Sequence, residues 1–161
     1  MKIWKSTVRL FVGLAVAAAP FVGFSADEKK NDASLMEPVD SVLDHYLKIQ
    51  ETLAKDSING VSENASAIVK AVKGDEMKKL SPEVAKQAEA LANAKDLKSA
   101  RQAFRPLSDS LIKYLADNKA GIGKYHEAYC PMAKASWLQT GKDIKNPYMG
   151  KKMLDCGELK T

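Results

Sequence analysis

The stretch DLKSARQAFRPLSDSLIKY, Asp96 to Tyr114, decides the fold class. Its apolar residues Leu97, Ala100, Phe104, Leu107, Leu111 and Tyr114 recur three and four positions apart, which places them on one face of a helix. Asp96 stands where an N-cap belongs, because its carboxylate can accept from the free N–H groups of the first turn. Pro106 falls inside the pattern. It removes one backbone donor and is expected to kink the helix there.

Three similar stripes precede this one. The first begins at Pro38 and runs through Val39, Val42, Leu43, Tyr46, Ile49 and Leu53. The second carries Ile58, Val61, Ala65, Ile68 and Val72 and stops near Gly74. Its centre holds Asn59, Gly60 and Asn64, all poor helix formers, so tertiary packing must support it. The third opens with Ser81 as cap, Pro82 at the first helical position and Glu83 behind it, with Val84, Ala88 and Leu91 as a narrow stripe. Short connections between such helices make antiparallel neighbours. The expected fold is therefore all-α: an up-and-down four-helix bundle with an irregular C-terminal tail.

The tail begins after Asn118, where Gly121, Gly123, Pro131, Gly141, Pro147, Gly150 and Gly157 interrupt any helical period. Tyr125 to Cys130 and Ala135 to Gln139 read as two short strands, a possible β-hairpin. Asn146-Pro147-Tyr148 reads as a turn, followed by about one helical turn up to Leu154.

At the other end, Lys2, Lys5 and Arg9 precede an uncharged apolar run from Leu10 to Ala19, then Pro20, Gly23 and the small residues Ser25 and Ala26. This order is that of a secretory signal peptide, residues 1–26, with cleavage after Ser25 or Ala26. The run is short for a membrane span, and no Cys follows it to carry a lipid. Residues 27–37 are polar and form a flexible linker. Residues 38–161 form the single helical domain. The expected location is the periplasm, with no membrane span once the signal is removed.

The chain has 161 residues, with 25 basic and 20 acidic. Three of the bases and none of the acids lie in the signal, so the remainder carries 22 minus 20, or +2. The high overall pI is thus no sign of nucleic-acid binding. Nine bases and five acids lie between Lys113 and Thr161, a mildly basic C-terminal part. The sequence has no Gly-rich phosphate loop, no His-Glu-x-x-His, no Cys-x-x-Cys and no nucleophile elbow. The expectation is a protein that is not an enzyme.

Both cysteines, Cys130 and Cys156, lie in the tail. In an oxidising compartment such a pair is a disulfide by default. It would close a loop with 25 residues between the cysteines and stabilise the chain by about 3–4 kcal/mol. The other reading is a soft-metal site. Cys130-Pro131-Met132 sets two sulfurs two residues apart, which an extended backbone turns to one side. Met149, Met153 and Cys156 share a face if the segment is helical. Thiolate and thioether donors select Cu(I) or Ag(I), and His126 offers an imidazole. The plainer readings are core filler for Met149 and Met153 and a surface role for His126. His45 has no visible ligand partner.

The strings Ala128-Tyr129-Cys130-Pro131-Met132-Ala133, Trp137-Leu138, Asn146-Pro147-Tyr148, Gly150 and Met153-Leu154-Asp155-Cys156-Gly157 resemble a bacterial domain-of-unknown-function family, DUF3347. Upstream, Ala94 to Leu97, Ala100-Arg101, Phe104 and Leu107-Ser108 resemble its helical half. That domain occurs free behind a signal peptide or appended to adaptor subunits of heavy-metal efflux systems of the resistance-nodulation-division type. The resemblance implies a periplasmic domain tied to copper or silver resistance, with an efflux adaptor as partner. It carries over to Cys130, Met132, Met153 and Cys156. Met149 stands where the family usually has an aromatic, and His126 lies outside the motif.

Overall fold

The computed structural model describes residues 37–160. The signal-peptide reading and most of the linker lie outside the described residues. Four helices form where the stripes predict them: α1 (Val39–Ala54), α2 (Val61–Lys73), α3 (Pro82–Ala92) and α4 (Leu97–Asn118). Two begin on side-chain caps. Ser81 Oγ accepts from Glu83 N–H at 3.3 Å. Asp96 accepts from Ser99 N–H at 2.8 Å, while Asp96 N–H donates back to Ser99 Oγ at 3.2 Å, a reciprocal capping box.

One detail differs from the sequence reading. Ile58 does not join the second stripe. Gly60, with φ +83°, sits at the N-cap of α2, so Ile58 falls in the preceding loop, where it is exposed. Pro106 lies inside the continuous span of α4. It lies on the exposed face, and the carbonyl it leaves free belongs to exposed Gln102, within reach of water.

Consecutive helices pack on one another, α1 on α2, α2 on α3 and α3 on α4. Tyr46, Ile49, Leu53, Ile68, Leu91, Phe104, Leu107 and Leu111 are fully buried between them. Removing such large apolar side chains from water is worth about 1.5–3 kcal/mol each and is the main force assembling the helices.

The all-α expectation needs correction. The protein is mostly helical, but the tail folds into a three-stranded antiparallel sheet of order β2-β1-β3, more than a hairpin. β1 (His126–Cys130) pairs with β2 (Ala135–Gln139) in the register His126↔Gln139 to Cys130↔Ala135. β3 (Glu158–Leu159) adds to the other edge of β1, with Tyr129 opposite Glu158. Two residues are too few to show any periodicity in sequence. A single 3-10 turn, Gly150–Met153, precedes β3.

β2 rests on both α4 and α1, and aromatic rings join sheet to helices. Tyr46 stacks on Phe104 at 4.8 Å, Phe104 meets Tyr148 at 5.9 Å, and Tyr148 meets Trp137 edge-on at 6.1 Å. The hydroxyls in this layer are satisfied. Tyr46 Oη and Ser108 Oγ share a hydrogen bond of 2.8 Å, Leu138 N–H donates to Tyr46 Oη at 3.0 Å, and Tyr148 O–H donates to Ser136 O at 2.9 Å. Burial raises the pKa of both Tyr46 and Tyr148 well above the usual phenol value.

Arg101 ties the tail to the helices. Its guanidinium donates to Pro147 O at 2.7 Å, to Leu53 O at 3.0 Å and to Asp56 Oδ1 at 2.6 Å. Asp56 Oδ2 accepts Lys151 N–H at 3.0 Å. Gly150, at φ +58°, leaves room for this pair; a Cβ there would collide with both the Asp56 carboxylate and the Arg101 guanidinium.

Candidate functional site

Cys130 is the last residue of β1. The strand alternates, with Ala128 and Cys130 buried and Tyr129 between them half-buried, so the Cys130 side chain faces inward. The chain then turns over Pro131–Lys134, closing on Lys134 at φ +49°. Arg105 on α4 holds this turn by donating to Ala133 O at 2.8 Å and Lys134 O at 2.9 Å. Ala133 N–H in turn points at Cys130 Sγ, 3.4 Å away.

Cys156 reaches the same place from the other direction. Asn146, completely buried, organises the approach. Its Oδ1 accepts Tyr148 N–H at 2.8 Å and Met149 N–H at 3.0 Å, its Nδ2 donates to Cys156 O at 2.6 Å, and its own N–H donates to Leu154 O at 2.8 Å. Beyond Cys156 the chain needs glycine: Gly157 has φ +149°, and a Cβ there would meet Trp137 Cη2 at 2.8 Å and Tyr129 O at 3.0 Å. β3 then pairs with β1, and Lys160 N–H donates to Glu127 O at 2.8 Å.

The outcome is a pair of free thiols with Cys130 Sγ and Cys156 Sγ 2.9 Å apart. Cys130 is fully buried and Cys156 half-buried. Burial opposes a Cys130 thiolate. Hydrogen bonds from Cys156, Ala133 N–H, the Asn146 side chain and Met132 N–H outweigh it, and the Cys130 pKa falls below the ordinary thiol value. Cys156 shares its proton with that sulfur, and its pKa rises. Of the two sulfurs, Cys130 is therefore the one whose hydrogen bonds favour the negative charge.

The remaining candidate ligands are not gathered in the same way. Met132 lies in the turn, two-thirds exposed at 66%, while Cys130 is at 0%. The extended backbone that would align their sulfurs ends at Pro131. Met149 is half-buried and packs against the core, and Met153 is half-buried on the 3-10 turn. His126 starts β1, four residues from Cys130, or about 13 Å along a strand. His45 is engaged elsewhere, its Nδ1 2.8 Å from Asn64 Oδ1.

Among the described residues, no three His, Cys, Asp or Glu side chains cluster as a metal site. The donors on offer are two thiols with exposed Met132 at the adjoining turn, a set suited to a soft monovalent ion of low coordination number. The spacing is tight for that purpose. With metal–sulfur bonds of about 2.3 Å, sulfurs 2.9 Å apart subtend only about 80° at a shared ion. A rotation of the half-buried Cys156 side chain is needed to open the pair.

The family model for proteins of unknown function, DUF3347, matches residues 42–123. The chain belongs to this family. The matched span of DUF3347 covers most of α1 and all of α2 to α4 and ends just before the sheet, so both cysteines lie beyond it. Comparison with curated proteins and with solved structures found no match.

Sequence reasoning identified the cysteine pair of this DUF3347 chain but missed its support. Asn146 was legible only as a turn residue, although Asn before Pro is a strong sign of a side chain bonding its own backbone. Gln139 gives no signal in sequence. Its amide fixes the 140–145 loop by accepting from Trp137 Nε1 at 3.0 Å and donating to Asp143 O at 2.9 Å. Among the described residues no helix is long and apolar enough to cross a membrane.

Proposed function

We propose that this domain is an exported, non-enzymatic soft-metal protein that binds or relays Cu(I) or Ag(I) in the periplasm. We further propose that it works alongside a heavy-metal efflux adaptor. Cys130 and Cys156 are the ligands, Met132 offers a thioether at the adjoining turn, and Met153, three residues before Cys156 in sequence, is a further candidate donor. The observation that carries this reading is the approach of the two sulfurs to 2.9 Å, with hydrogen bonds that favour the Cys130 thiolate. The ion is cargo rather than a resident cofactor. Its tightest hold is at the thiolates, because a thioether is neutral and the weaker donor. The short connections between successive helices support an up-and-down course for the bundle, with the tail folded across α1 and α4.

A second reading has its own support. A spacing shorter than two metal–sulfur bonds at a wide angle favours a disulfide, which would staple β1 to the end of the tail. The domain would then be an interaction module without metal. Acid-trapped thiol counting on protein from the periplasmic fraction separates the two. Two free thiols and a mature N-terminus at Ala26 or Asp27 support the metal reading. A mass two units lower, unchanged by copper, supports the staple. An intact Met1 contradicts signal cleavage in both.

A further inference from the structure

Beside the turn that covers Cys130, α4 and the Tyr148–Met149 loop enclose an open cleft of about 490 Å³. That is within the usual size of small-ligand sites. Its floor is apolar, made by Leu97, Ala133, Met149 and the ring of Tyr148. Its wall is cationic. Lys98, Arg101 and Arg105 are spaced by three and four residues on α4, so all three face the cleft from one side of the helix.

The three cations are not equivalent. Arg101 is neutralised by Asp56 at 2.6 Å. Lys98 and Arg105 make no ion pair among the described residues; Asp96 and Asp109 feel their charge from elsewhere on α4 without closing on them. Arg105 is also held in place. Two of its N–H groups bond the Ala133 and Lys134 carbonyls, and its Cζ stands 5.6 Å from the centre of the Tyr148 ring. Its remaining donors are thus presented with little ordering left to do on binding.

From this we infer that the cleft binds a small organic anion: a carboxylate or comparable acid group on a flat apolar body. The acid group meets Arg105 and Lys98. The body lies on Leu97, Ala133 and Met149, with the largely buried Tyr148 at the edge. A simple inorganic anion has nothing to place on that floor, and a neutral analogue leaves both cations without a partner. The site is separate from the sulfur pair but shares Ala133 with it, since that residue lines the cleft while its N–H faces Cys130 Sγ.

The test is an NMR titration of the folded mature domain with 2-naphthoate, beside neutral 2-naphthamide and inorganic phosphate. The inference predicts saturable shifts for naphthoate at the amides of Lys98, Arg105, Ala133 and Met149, with the amide and phosphate binding at least about tenfold more weakly. Lys98→Glu, on an exposed side chain, should weaken naphthoate by a similar factor and leave the rest of the spectrum in place. Arg105→Gln should do the same; if it disturbs the turn, Lys98→Glu alone decides. Non-saturating shifts, equal binding of the neutral amide, or binding indifferent to Lys98→Glu would overturn the inference. Shifts confined to residues outside the cleft would overturn it as well.

Discussion

Replacing Asn146 by Ala tests how the cysteine pair is assembled. The substitution removes the acceptor for the Tyr148 and Met149 N–H groups and the donor to Cys156 O. The Tyr148 bond is buried, and the other two are partly buried. An abandoned buried polar group costs about 1–3 kcal/mol, and a partly buried one less because water reaches it, which places the total near ~3 kcal/mol. Asn146→Asp keeps the acceptor for both N–H groups but sets a buried carboxylate beside Cys130, with one oxygen facing Cys156 O. It should cost at least as much stability as Asn146→Ala, because the charge is buried without a cation, and slow alkylation of Cys130. Urea unfolding gives the first quantity. The rate at which oxidised glutathione cross-links Cys130 to Cys156 reports whether the sulfurs still meet. An Asn146→Ala protein within about 1 kcal/mol of the parent, cross-linking at the parent's rate, would refute the role given to Asn146.

Other outcomes follow from the same geometry. Phe104→Ala removes a fully buried ring stacked on Tyr46 and should lower unfolding free energy by about 3–5 kcal/mol; a loss under about 1 kcal/mol would mean the ring is not central. Gly157→Ala forces a Cβ against Trp137 and Tyr129 O at an unfavourable φ. It should destabilise by about 1–3 kcal/mol and move the Trp137 near-ultraviolet signal; an unchanged signal counts against the packing described. The raised pKa values of Tyr46 and Tyr148 mean that the folded state keeps protons which the unfolded chain loses near pH ~10. Stability should therefore be intact below that pH and fall above it. Tyr148→Phe should flatten the alkaline fall; equal slopes for the two proteins would show that Tyr148 is not the titrating group.

The helices were legible because each carries its apolar stripe and, for α3 and α4, its cap. Ser81-Pro82-Glu83 and Asp96 mark their starts without ambiguity. The strands around Cys130 and Trp137 were legible as breaks in the helical period. The misses share a cause. Ile58 fits the stripe, but Gly60 takes the cap, and spacing alone does not reveal which of the two wins. β3 exists only because β1 offers it an edge. The proposed alignment of Cys130 with Met132 assumed that the strand continued, whereas Pro131 starts the turn that α4 holds through Arg105. Arg101 bonds carbonyls 46 and 48 residues away, and no local pattern encodes such partners. Asn146 and Gln139 act within their own loops, on partners two to ten residues away, but only the folded loop fixes which backbone groups they meet. Most of the candidate site was thus visible as residue types, while its geometry had to come from the tertiary fold.

The central claim is that Cys130 and Cys156 together hold a soft monovalent ion. A Cu(I) competition titration of the reduced mature domain against a chromophoric chelator tests it most directly, with Cys130→Ser and Met132→Leu measured alongside. The account predicts one ion per chain for the parent. It predicts a loss beyond about a hundredfold for Cys130→Ser, since a direct ligand matters more than the outer-shell partners whose removal costs 10–100-fold. Met132→Leu should show a modest loss with the fold intact. A parent that fails to compete with the chelator, or a Cys130→Ser protein that competes equally well, would contradict the account.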